Sequence, residues 1–475
     1  MTATGAPASA PQRVLSTLNE DGSRRYIRPK PSAGKFFTRR QLVAYGLMLV
    51  FFLIPYLRMG GKPLILLDLP HRLFILFGTT FLPTDTLLFM LLFVSVAIAI
   101  FLLTALLGRV WCGWACPQTV YLEFLFRPLE RLLEGGRSGT LQIDRAKRVS
   151  PRRLLKYAVY FVLALFLAHT FLAYFVGVEQ LAVWVRRSPA EHPTSFLVMA
   201  GTSALIFFDF TWFREQTCVV ACPYGRLQSV LLDRQSLIVG YDYRRGEPRG
   251  KHLKDRAAAA GDCIDCQACV LTCPTGIDIR DGLQMECIHC TQCADACDAI
   301  MTRIGKPPGL IRYGSRDGFD GKSKHLLRPR VVLYPLALAI AIGLLGFNLA
   351  TRQDAEVTIL RGSDPFTVQA DGSVINQIRV KVRNRSAADQ SYSIALLGAD
   401  QARLITPSNP LPVAAGRTVT ATVFVVLPAS AFHNGERKIA FRVVAATGFS
   451  GDFAYELVGP EREGEHEDSH EGDRR

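Results

Sequence analysis

Long apolar runs, not amphipathic repeats, dominate the first three quarters of this chain. A bilayer-crossing helix needs about 20 mostly apolar residues. Five segments meet that need: 41–57, 86–107, 157–177, 195–213 and 331–350. The first is preceded by a polar, basic stretch with no apolar leader, so it is expected to be an anchor. The stretch 63–83 is also apolar, but Asp68, Pro70, His71 and Arg72 interrupt it. An interfacial or re-entrant segment is expected there.

Beyond the fifth span the period changes to two. Ile378, Val380 and Val382 alternate with Arg379, Lys381 and Arg383, and comparable runs occur at 357–360, 392–397, 419–426, 439–444 and 453–458. Turn-rich pieces such as Asp371-Gly372 and Asn434-Gly435 separate them. This pattern predicts an immunoglobulin-like β-sandwich over 351–459, one without the disulfide of antibody domains. The residues from 460 to 475 read as a disordered acidic tail, with His466 and His470 solvated.

Composition agrees with a membrane protein. Of 475 residues, 49% are hydrophobic and only 20% charged, which excludes a disordered chain and argues against an ordinary soluble one. The formal charge of +14 invites a nucleic-acid reading, but its distribution is topological. Lys and Arg number 8 in 1–40, 10 in 108–156 and 18 in 214–330, against 3 in 58–85 and 2 in 178–194. The positive-inside rule then predicts a bacterial inner-membrane protein with a cytosolic N-terminal arm (1–40) and a periplasmic C-terminal domain. Membrane lipid is the expected partner of this charge, and no nucleic acid is.

All 12 cysteines lie between Cys112 and Cys297. A tandem repeat carries eight of them: Cys263, Cys266, Cys269 and Cys273, then Cys287, Cys290, Cys293 and Cys297, each run spaced C-x2-C-x2-C-x3-C. Three thiolates at spacing three wrap one cubane while the fourth reaches the other. Cys263, Cys266, Cys269 and Cys297 are therefore expected to hold one [4Fe-4S] cluster, and Cys273, Cys287, Cys290 and Cys293 a second. Structural zinc would favour paired C-x2-C units across a longer loop. The fold class expected is thus a multi-domain membrane protein. It comprises a five-helix transmembrane bundle (41–213 and 331–350), a cytosolic twin-cluster ferredoxin-like region (214–330) and the C-terminal β-sandwich.

The other four cysteines form two C-x3-C-P pairs, Cys112/Cys116 and Cys218/Cys222, each following a span that runs inward. Such sulfurs suit Cu(I), a further cluster or redox dithiols, and spacing does not choose among them. Trp111, Trp114 and Trp212 beside them read as an interfacial aromatic belt. His169 and Asp209 are ionisable residues inside spans, which makes them functional candidates. No second intramembrane His accompanies His169 to make a bis-His haem site. No dinucleotide fingerprint or Walker loop is present, so electrons must enter from a partner or a membrane carrier.

The runs 111–117 (WCGWACP), 209–229, 263–279 and 282–299, followed by 309–315 (GLIRYGS), resemble the FixG/CcoG family of cytochrome c oxidase accessory proteins. That resemblance implies a cupric reductase that supplies Cu(I) to the copper centre of a cbb3-type oxidase. Its implied partners are the oxidase assembly machinery, copper-handling proteins and an unidentified electron donor. It also implies copper as substrate, with Cys112, Cys116, Cys218 and Cys222 as its contacts. Two other functions fit the same residues: a quinol-linked subunit similar to the membrane polyferredoxins of nitrate and nitrous oxide reduction, and a non-enzymatic assembly scaffold.

Overall fold

The computed structural model describes residues 16–460 except 20, 22, 71–72, 82–84, 147–149, 251–260, 324–327, 387, 400 and 447. The acidic tail with His466 and His470 lies outside the described residues. Two compact units, 1–345 and 346–475, make up the chain.

Among the described residues, five helices are long and apolar enough to cross a membrane: Lys35–Tyr56, Thr86–Leu107, Pro151–Val176, Pro193–Phe213 and Pro329–Ala350. Four begin two to six residues before their apolar runs, because basic or capping residues extend each helix past the hydrocarbon. Their outward faces are apolar, as a lipid solvent requires. The third and fourth spans pack together, and the helical segment 117–134 inserts against them. There Phe126 stacks on Phe210 with ring centroids 4.1 Å apart, and Tyr160 Oη donates to the Phe126 carbonyl at 2.6 Å. Val120 and Phe124 of that segment pack on Ala44 and Met48 of the first span.

The stretch 63–83, expected not to span, forms no spanning helix among its described residues. Its described residues form a three-stranded antiparallel sheet, Ile65–Asp68, Leu73–Leu76 and Thr79–Phe81. Phe77 and Gly78 both have positive φ and join the last two strands as a tight hairpin turn. Branched and aromatic residues between turn signals are strand-formers, and that local preference wins over overall hydropathy.

A buried ion network gathers four distant pieces of the first unit. Glu130 accepts from Arg28 at 2.8 Å, Arg214 at 3.1 Å and Lys156 at 3.2 Å. Arg127 pairs with Glu123 and reaches Glu215 at 3.2 Å and the Pro274 carbonyl at 3.3 Å. Lys156 also meets Glu134 at 2.8 Å, and Arg153 bridges Glu134 to Asp144. Burial alone would raise the Glu130 carboxyl, but the surrounding Arg214, Arg28 and Lys156 outweigh it and hold it well below its ordinary range.

The second unit is the β-sandwich. One sheet orders strands Arg403–Ile405, Thr418–Pro428, Ser373–Asn384 and Ala355–Arg361, with Thr367–Val368 also pairing to Ser373–Asn384. The other orders Leu411–Val413, Gln390–Leu397, Glu436–Ala445 and Ser450–Val458. The period-two positions Ile378, Val380 and Val382 all point into the core with Val423, Val425, Phe441 and Val443. Sequence periodicity anticipates six of these strands. It does not show 367–368, 403–405 and 411–413, which are too short to display a period.

Replacing Glu130 with Gln leaves three buried cations without their shared carboxylate. Breaking a buried pair this way costs about 3–5 kcal/mol, expected as a lowered thermal midpoint of the detergent-solubilised protein. The wild-type carboxyl is depressed, so its contribution is complete above its ordinary value of 4.5 and fades as the pH falls through the native value. The difference between wild type and Glu130→Gln should therefore shrink on acidification. A difference that grows instead would contradict this account.

Candidate metal centres

The tandem cysteine runs fold alike. Asp265 and Gln267 in the first, and His289 and Thr291 in the second, occupy equivalent positions and all have φ between 52° and 59°. These left-handed residues turn the chain around its own sulfurs, a conformation non-glycine residues hold only when the surroundings enforce it. A helix follows each turn: Ala268–Thr272 carries Cys269 and is capped by Cys273, and Gln292–Arg303 carries Cys293 and Cys297.

The result is two small cysteine-lined hollows. Cys263, Cys266, Cys269 and Cys297 line one, with Tyr241, Met301, Leu310 and Ile311. Cys273, Cys287, Cys290 and Cys293 line the other, with Cys269 between the two and Ile277, Ile279 and Ile288 around it. The fourth cysteine of each run thus faces the other run's cavity. Among the described residues, no three Cys, His, Asp or Glu are grouped tightly enough for a single metal ion. Four widely set sulfurs around an apolar hollow fit a polynuclear cluster better than zinc. Burial pushes the Cys269, Cys287 and Cys297 thiols up to about 12, so iron would displace their protons on binding.

The two C-x3-C-P pairs come together as well. Wide π-helical turns at Leu122–Phe126, Asp209–Phe213 and Thr217–Ala221 flank them. Burial raises the Cys112 thiol to about 11, and Cys116 and Cys222 add to the shift. Cys218 is raised by burial and by all three other thiols, with Asp209 acting on it too. Gln228 donates its side-chain amide to Cys112 Sγ at 3.3 Å, Asp209 accepts from Thr217, and Gln118 donates to the Arg214 carbonyl at 2.9 Å.

The first pair is clamped to the second cysteine run by residues that sequence inspection passes over. Arg109 donates its backbone N–H to His289 Nδ1 at 3.1 Å, and its guanidinium reaches the Cys287 carbonyl at 3.3 Å and the Gly225 carbonyl at 3.2 Å. Burial, then the Arg109 charge, holds His289 at about 3, so its imidazole is neutral. A Cβ on Gly113 would lie 2.5 Å from the Ile288 carbonyl oxygen and 2.9 Å from Cys290 Cα. Arg40 Nε caps the Gly113 carbonyl at 2.8 Å. Trp114 is not part of an aromatic belt: its Nε1 donates to Tyr313 Oη at 2.9 Å, which donates to the His289 carbonyl at 2.8 Å. Trp111 and Trp212 are half exposed, as belt residues are.

His169 lies apart from all these sulfurs. It borders a different cavity of about 170 Å³ with Trp184, His192 and Met199, and its Nδ1 meets the Leu165 carbonyl at 2.7 Å. His192, outside the apolar runs, is a neighbour that span-by-span reading overlooks.

Apolar spanning helices, paired cysteine-lined cavities and an immunoglobulin-like sandwich define a membrane iron–sulfur electron-transfer protein. Comparison with known families agrees: a 4Fe-4S dicluster domain matches 213–316, a 4Fe-4S binding domain matches 88–135, and the IG-like fold at the C-terminal of FixG matches 345–460. The nitrogen fixation protein FixG of Rhizobium meliloti is 32% identical, covering 89% of this chain and 90% of its own. Proteins RdxA and RdxB of Cereibacter sphaeroides are each 34% identical, covering 85% and 88% of this chain and 89% and 92% of theirs. The chain belongs to the FixG family.

Gly113→Ala is expected to push the Cys112–Cys116 loop off the Cys290 turn, since the blocking atoms are backbone and cannot rotate away. The purified variant should show a lower iron-to-protein ratio or a lower thermal midpoint than wild type. A variant equal to wild type in both would show that the contact is loose.

Proposed function

We propose that this protein reduces Cu(II) to Cu(I) for assembly of the copper centre of a cbb3-type oxidase. The observation that carries the reading is the convergence of Cys112, Cys116, Cys218 and Cys222 beside the cavity of Cys287, Cys290 and Cys293. Soft thiolates favour Cu(I) over Cu(II), so a thiolate site makes the reduced ion the better-bound product. Bound [4Fe-4S] clusters would supply one-electron storage and transfer. We assign one cluster to Cys263, Cys266, Cys269 and Cys297 and the other to Cys273, Cys287, Cys290 and Cys293. Burial keeps the Cys112 thiol protonated until a cation arrives, and copper then displaces that proton. Gln228 and Arg109 favour the resulting thiolate. The Lys/Arg distribution supports a cytosolic location for these sulfurs and a periplasmic one for the sandwich, whose role would be to dock the assembly partner.

One observation favours a second reading of the same thiols: the 4Fe-4S binding domain match spans Cys112 and Cys116. On that reading the four sulfurs hold a third cluster.

Two measurements separate these readings. Iron analysis of anaerobically purified protein should give about eight atoms per chain for two cubanes and about twelve for three. Dithionite-reduced protein should convert Cu(II) to Cu(I), read with a Cu(I)-specific chelator. Cys112→Ser/Cys116→Ser and Cys218→Ser/Cys222→Ser should each lose at least about tenfold in rate while keeping the iron of the wild type. Wild-type rates in both double variants would sink the copper assignment.

A further inference from the structure

We propose that the large cavity among the first, third and fourth spans binds a lipid-soluble quinol, the electron donor for the reaction above. The identity of the electron acceptor rests on that reading; the binding site does not. The cavity is open on one side and has a volume of about 690 Å³. Its wall is apolar, with Met48 and Phe51 from the first span, Leu167 and Phe171 from the third, and Leu205 and Ile206 from the fourth. Trp111, Ala115 and Pro117 of the first C-x3-C-P segment complete it, so any occupant touches the redox motif itself.

Polar groups on this wall distinguish it from an acyl-chain slot. Tyr121 Oη is buried and makes no hydrogen bond. Asp209 carries a carboxylate into the same cavity, where it accepts from Thr217 Oγ1 and lies close enough to Cys218 to act on its thiol. A buried hydroxyl without a partner and a carboxylate in an apolar wall are both costly unless a ligand satisfies them. A hydrocarbon chain offers neither a donor nor an acceptor. A quinol offers both: one ring O–H donates to Asp209, and a ring oxygen accepts from Tyr121, while its tail fills the apolar remainder. The chain has no nucleotide fingerprint, so electrons enter from a partner or a membrane carrier, and a quinol is a carrier that reaches a cavity among spanning helices.

The exchange balances. Oxidation of one quinol to quinone breaks two O–H bonds and releases two protons and two electrons. Two Cu(II) take one electron each and become Cu(I). Asp209 accepts the first proton, and the second leaves to solvent water.

Binding is tested without copper, so its failure leaves the cupric reading standing and the converse also holds. Wild-type protein in phosphatidylcholine nanodiscs is photolabelled with an azido-benzoquinone bearing a ten-carbon tail. The expected labels fall in peptides covering 111–121 and 202–210. Unlabelled decyl-benzoquinone should compete, whereas decylbenzene, with the same tail and no ring oxygens, should not. Asp209→Asn and Tyr121→Phe should each weaken competition about tenfold, the loss expected for one hydrogen bond to a charged or buried partner. Labelling confined to peptides that do not line this cavity, or equal competition by decylbenzene, would overturn the site even if a variant fails to fold. Unchanged competition in both folded variants would overturn the assigned contacts.

Discussion

The buried carboxylate of Glu130 is the constraint on which the rest of the first unit depends. It draws Arg28 of the N-terminal arm, Lys156 of the third span and Arg214 after the fourth span to one point. Desolvating so many charges is unfavourable unless each is paired. The arrangement therefore tolerates little rearrangement, and register is what such a network secures. Arg214 and Glu215 immediately precede the second C-x3-C-P pair, and Glu123 and Arg127 follow the first. Fixing these four residues fixes the entrances of both pairs, which is how thiols from separate spans come to act on one another.

The cysteine-lined region is held to the helices by contacts of the same cooperative kind. Asp295, on the helix of the second cysteine run, accepts from the backbone N–H groups of Phe36 at 3.2 Å and Phe37 at 2.7 Å, capping the first span from outside its own sequence. Arg127 ties the Pro274 carbonyl to the ion network, and Arg109 ties His289 to the end of the second span. Redox sites need their ligands and neighbours kept in place through each change of charge, and positioning from several elements does this. The same reasoning accounts for Gly113, where a close approach of two backbones requires a residue without a side chain.

Much of the site was legible because its chemistry is local. Spacing of three between cysteines states its ligand geometry directly, and the exchange of Cys273 and Cys297 between runs follows from it. The contributions of Arg109, His289, Trp114 and Tyr121 were not legible. Each is an ordinary residue at an ordinary position, and its partner lies more than 100 residues away in the chain or is missing altogether. The segment 63–83 shows the same limit: its interruptions mark it as too broken to span, but the pairing of its short pieces as strands is a tertiary fact.

By itself, the sequence determined the five apolar spans, the strand periodicity of the sandwich and the eight-cysteine repeat. In each case residues within about 30 positions interact through bilayer length, side-chain alternation or metal-ligand spacing, and these are written in one dimension. Only the tertiary structure decided that the four C-x3-C-P thiols share one neighbourhood, that they abut the second cysteine-lined cavity, and that Asp209 faces both a thiol and an apolar cavity. Those facts depend on long-range charge pairing and backbone approach, which no local pattern encodes.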